Sequence, residues 1–88
     1  MSPMLQETTH YIETTEEEYS KIASVKLLVD EIYAKGSFFQ LSLKTLELMR
    51  RFNLMFDRVI KEEDQTPTLV NQLVITSQHL DQQLLREF

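Results

Sequence analysis

The stretch LSLKTLELMRRFNLMFDRVIK, Leu41 to Lys61, decides the fold. It contains neither Gly nor Pro, and its apolar residues recur at helical spacing. At about 100° per residue, Leu41, Leu48, Met49, Phe52, Met55, Phe56, Val59 and Ile60 cover roughly half of the helical wheel. So wide an apolar arc suits a helix packed on two sides, the central member of a bundle. Lys44, Arg50, Arg51, Arg58 and Lys61 share the remaining arc, five of the nine basic residues of the chain.

Upstream, Gly36 is the only glycine and stands where a helix C-terminus needs a left-handed residue. Ser37 is then expected to cap the second helix. Before Gly36, Ile22, Val25, Val29 and Ile32 follow one another at spacings of three, four and three, with Leu28 and Tyr33 flanking them. That is a β-branched heptad seam, under two heptads long and too short for a free-standing coiled coil. Glu16, Glu17 and Glu18 fill its first turn, where carboxylates suit the positive end of the helix dipole, and Thr14 or Thr15 is placed to cap it. Residues 1–14 are polar and Thr-rich, and are expected to form a flexible arm.

Downstream, KEEDQTPT interrupts the periodicity. Pro67 forces the preceding residue out of the α region yet suits a first helical position, with Thr66 or Asp64 as cap. The third helix carries Leu69, Val70, Leu73, Val74, Leu80, Leu84, Leu85 and Phe88 on its apolar arc. The expected fold is therefore all-α: a three-helix antiparallel bundle with helices at about 15–35, 37–62 and 67–88, forming a single domain over residues 15–88.

Composition agrees. Eighty-eight residues with one Gly and two Pro favour long helices over turn-rich sheets. A chain this short has a marginal core, and without Cys it has no disulfide to help, so association with another chain is expected. Net charge −5 disfavours nucleic acid as a partner of the whole surface. No transmembrane span and no secretory signal is read, which suits a cytoplasmic protein without membrane contact.

Few chemistries survive inspection. One glycine cannot build a phosphate-cradling loop, and two His with no Cys give no metal motif, so no metal and no cofactor is expected. Ser77, His79 and Asp81 do not make a triad, because residues two apart on a helix do not face one another. On the third helix His79, Gln82 and Gln83 fall on the polar side, while Ser77 and Asp81 fall inside the apolar arc as a polar notch. A carboxylate there needs a partner. Arg50 or Arg51 of the second helix is one candidate, a polar registry role at an interface another, and a functional role the third. The basic arc of helix 2 is expected either to pair with Asp30, Glu31 or Glu87 or to receive an acidic partner. The segment around Gly36 also has a faint helix-turn-helix look, which makes weak DNA binding a second alternative.

The pentapeptide SQHLD, Ser77 to Asp81, resembles the S-Q-E-L-D motif of the small aspartyl-phosphate phosphatases of the sporulation phosphorelay, at four of five positions. The resemblance implies a helical hairpin that dephosphorylates a response regulator, with Gln78 helping to orient the attacking water and Asp81 essential. The sequence departs from that pattern at His79, which replaces Glu, and at Gln83, where an apolar residue is usual. Phe88 lies one position late, and the link between the helices is longer. The principal expectation is a small non-enzymatic interaction module, regulatory or adaptor in type and self-associating. Its candidate contacts are Leu43, Ile75 and the basic residues Lys44, Arg50, Arg51, Arg58 and Lys61. The phosphatase acting through Ser77, Gln78 and Asp81 is the enzymatic alternative.

Overall fold

The computed structural model describes residues 16–88, so the expected arm lies outside the described residues. Three long helices form an all-α antiparallel bundle: α1 (Glu16–Lys35), α2 (Leu43–Phe56) and α3 (Pro67–Glu87). The β-branched seam of α1 does what its spacing dictates, because Ile22, Val25, Val29 and Ile32 are the buried residues of that helix. Gly36 ends it at φ 67°, ψ 30°, the left-handed conformation that costs a residue with a Cβ.

The second helix begins later than its periodicity suggests. Ser37–Gln40 form a 3-10 turn, and Leu41 is extended. This tighter path seats Phe38 against the core, its ring 5.3 Å from that of Tyr33, and buries Leu41. Ser42, not Ser37, is the cap: its hydroxyl accepts the Thr45 N–H at 3.2 Å. At the other end α2 widens into a π-helical segment, Asp57–Lys61, with the Glu62 N–H donating to the Asp57 carbonyl at 2.9 Å. Val59 stays fully buried there, and its carbonyl accepts the Gln65 side-chain amide at 2.7 Å. Glu63, at φ 56°, is the one described residue other than glycine with a left-handed backbone.

Asp64 prepares the start of α3. Its carboxylate accepts from the Thr66 hydroxyl at 2.6 Å and the Thr66 N–H at 3.3 Å, and Pro67 then enters as the first helical residue. Both Thr66 donors hold the Asp64 carboxyl below its usual pKa, with Arg58 adding to the effect.

The core joins Ile22, Val25, Val29, Met49, Phe52, Val59, Leu73, Leu80 and Leu84 with their neighbours. The central helix by backbone approach is α3, not α2 as its wide apolar arc suggested: α3 comes close to both α1 and α2, whereas α1 and α2 scarcely approach one another. Side-chain size explains the difference from the wheel. The seam of α3 includes the small residues Val70, Val74 and Ser77, which let a neighbouring backbone come close. Lys26 of α1 bridges the wider gap to α2, donating to the Asn53 side chain at 3.0 Å and lying 5.2 Å from the centre of the Phe56 ring.

Two residues assigned to the apolar arc of α3 face outward: Leu85 is 76% exposed and Phe88 60%. Leu84 takes the core position, leaving Leu85 about 100° away around the helix. Phe88 follows the last helical residue, at the end where α2 begins. Among the described residues no helix is long and apolar enough to cross a membrane.

Candidate functional site: two grooves beside α3

Ser77 and Asp81 occupy one groove and Ile75 and His79 another, on different sides of α3. The first groove, about 350 Å³, runs between α1 and α3 and is lined by Glu17, Glu18, Lys21, Val74, Ser77, Gln78, Asp81 and Gln82. Ser77 is buried, and its hydroxyl donates to the Val74 carbonyl at 2.7 Å. That bond satisfies the buried hydroxyl within its own helix, so Ser77 is a small residue at a close helix contact. Asp81 is partly covered and meets the Lys21 ammonium at 2.9 Å. Its partner therefore comes from α1, not from Arg50 or Arg51. The parallel seam positions hid this, because they identify the need for a cation without saying which helix supplies it. Gln78 is exposed at the same groove.

The second groove lies between α2 and α3 with no α1 residue in its walls. One part, about 480 Å³, is lined by Lys44, Glu47, Leu48, Arg51, His79, Gln82 and Gln83. The adjoining part, about 510 Å³, shares Leu48, Arg51 and His79 and adds Leu54, Met55, Gln72, Ile75 and Thr76. Leu54 is 58% exposed and Ile75 45%, one on each wall. His79 is exposed, as the wheel required.

The basic arc of α2 splits. Arg58 pairs with Asp64 at 3.0 Å, and Lys61 approaches Asp57 at 3.5 Å. Lys44, Arg50 and Arg51 are exposed and make no ion pair with a described residue, and of these Lys44 and Arg51 line the outer groove. The expected interhelical partners are engaged elsewhere. Asp30 pairs with Lys26 and Glu31 with Lys35, both within α1. Leu43, at the first turn of α2, is 85% exposed and lines neither groove.

Glu87 has a role the sequence reading missed. From the last turn of α3 its carboxylate accepts the Ser42 N–H at 2.7 Å, the Ser42 hydroxyl at 3.2 Å and the hydroxyl of the fully buried Thr45. The Thr45 hydroxyl, then the Ser42 N–H, hold the Glu87 carboxyl below its usual pKa. The signal was available. An acid in the last turn opposes its own helix dipole, which makes sense when the adjacent helix presents its N-terminus there.

Among the described residues no three His, Asp or Glu side chains gather closely enough to hold a metal ion. Comparison with known proteins returned no match to any family model, curated protein or solved structure.

Proposed function

We propose that the chain is a non-enzymatic helical interaction module, regulatory or adaptor in type, that docks another protein along the outer α2–α3 groove. The observation that carries this reading is the pairing of exposed Leu54 and Ile75 across a groove that no part of α1 covers. An apolar pair set in a polar rim is the composition of a contact surface. A small single-core chain also gains stability from a partner that binds its folded state. The test is site-specific photo-crosslinking in the native cell from position 54, 75 or 27. Leu27 is 72% exposed on α1 and serves as the control. A common adduct from 54 and 75 but not 27, lost from position 54 on Ile75→Glu and from position 75 on Leu54→Glu, is the expected result. Equal labelling from all three positions sinks it.

A second reading has its own observation: Gln78 and Asp81 line one open groove, with the Lys21 ammonium on Asp81. In a phosphoaspartate phosphatase Gln78 would orient water and Asp81 would be required. Single-turnover dephosphorylation of a response regulator decides this. Loss of turnover in Asp81→Ala and Gln78→Ala, with helicity unchanged, supports the enzyme. Absence of any turnover by the parent chain removes it.

A further inference from the structure

We infer that the occupant of the outer groove is an amphipathic helix of another protein, with carboxylates at one end of its apolar ridge. This rests on the docking reading above and adds the chemistry and direction of the partner. The groove is graded. Towards the Ser42 and Glu87 end its walls are mostly polar, with Lys44, Gln82 and Gln83 beside a single carboxylate, Glu47, while Leu48, Arg51 and the exposed His79 line both parts. Towards the π-helical end they carry Leu54, Met55 and Ile75. Lys44 and Arg51 are exposed without an ion pair to a described residue, in a chain whose net charge is −5. Cations left unpaired in so acidic a chain complement carboxylates on a partner, and steer its approach.

The α3 wall extends from Gln72 to Gln83, roughly 16 Å at 1.5 Å per residue, which fits about three helical turns of a ligand. A ligand helix laid in the groove presents apolar residues at i, i+3/i+4 and i+7 to Leu48, Leu54 and Ile75. Its carboxylates then reach Lys44 and Arg51.

A second copy of this chain fits less well. Two grooves related by a two-fold axis perpendicular to them set the basic end of one against the apolar end of the other, burying cations without partners. Seating the acidic α1 of a second copy in the groove is heterologous. The groove walls contain no α1 residue, so α1 stays free to continue the contact into an open chain.

The experiment uses two 14-residue helical peptides sharing one Leu/Ile ridge, with Glu beside the ridge at one end in the first and Lys in the second. Each is titrated into the isotope-labelled full chain and followed by amide chemical shifts. The expected result is perturbation centred on Leu48, Arg51, Ile75 and His79. The Glu peptide should bind about fivefold or more tighter at low salt, the size two or three exposed ion pairs provide. Lys44→Glu/Arg51→Glu, with helicity checked by circular dichroism, inverts that preference. Equal affinity of both peptides in the groove overturns the acidic assignment and leaves the docking reading standing. No perturbation by millimolar peptide, or perturbation centred on α1, overturns both. A concentration-dependent dimer whose interface shifts map to the groove overturns the foreign partner in favour of a second copy.

Discussion

The two sides of α3 treat the same kind of problem in opposite ways. On the side facing α1, polar atoms intrude on an apolar seam, and each finds a partner inside the chain: Ser77 in the Val74 carbonyl, Asp81 in Lys21. On the outer side apolar atoms intrude on a polar surface, and Ile75 and Leu54 stay substantially exposed. Burial of a polar group carries a penalty that must be met within the fold, so the inner face is closed by its own hydrogen bonds. Exposure of two aliphatic side chains carries a smaller penalty, which a partner can remove later. The inner face therefore reports on folding, and the outer face is the one that the proposed docking would use.

The sharpest way to break this contrast is a matched pair of truncations on α3. Leu80 is fully buried, and Leu80→Ala should cost roughly 2–5 kcal/mol through lost burial and the cavity left behind. Ile75→Ala, on the outer wall, should stay within about 0.5 kcal/mol of the parent while weakening crosslinking from position 54. Urea unfolding measures both. Comparable losses would mean that Ile75 is part of the fold and that the outer groove is not a free surface.

A smaller effect is expected where α3 holds the start of α2. Ser42→Ala removes the side chain that accepts the Thr45 N–H and donates to Glu87, and should cost about 1 kcal/mol, typical of a lost N-cap. Glu87→Gln tests the carboxylate itself through pH. Because the folded pKa of Glu87 lies below its ordinary value of 4.5, its contribution is present above that value. It is lost as pH falls through the folded pKa. The parent should thus lose stability on acidification below about 4.5, and Glu87→Gln should show a shallower loss over the same window. Asp64 is shifted in the same direction by Thr66, so Asp64→Asn is the companion variant. An unchanged acid limb in Glu87→Gln would show that the cap is not formed in solution.

Much of the architecture was legible because it depends on periodicity. The 3-4-3 spacing of α1 identified its four buried residues, and Gly36 and Pro67 marked a stop and a start. What escaped depends on tertiary choice. Ser37 and Ser42 are equally good caps locally, and Ser42 wins because Glu87 and Thr45 meet it from outside the local sequence and from the following turn. Thr45 reads as polar, yet is fully buried because its hydroxyl has the Glu87 carboxylate. The π-helical turn carries no distinct composition. In the candidate site the wheel placed Ser77 and Asp81 on the packed side and His79 outside, but a wheel has one helix. It could not assign Lys21 to Asp81, nor join Arg51 of α2 with Ile75 of α3 along one groove.

The smallest expected effect is at the polar notch itself. Lys21 is about half exposed as a side chain, 52%, and Asp81 is 25% exposed. Water therefore screens the pair on one side, and a double-mutant cycle through Lys21→Met, Asp81→Asn and the combination should give a coupling of about 0–1 kcal/mol. A value of several kcal/mol would require Asp81 to be more deeply desolvated than this groove makes it, and would move the residue from the rim of the fold to its core. The lower end of the expected range has its own consequence. Asp81 would then occupy a seam position without contributing to stability through Lys21, and the case for a role towards a bound partner would strengthen. The cycle should therefore be repeated in the presence of a phosphorylated response regulator. If Lys21→Met leaves stability untouched but changes single-turnover dephosphorylation, the ammonium acts on the substrate side of the groove, and the inner face of α3 is not closed after all.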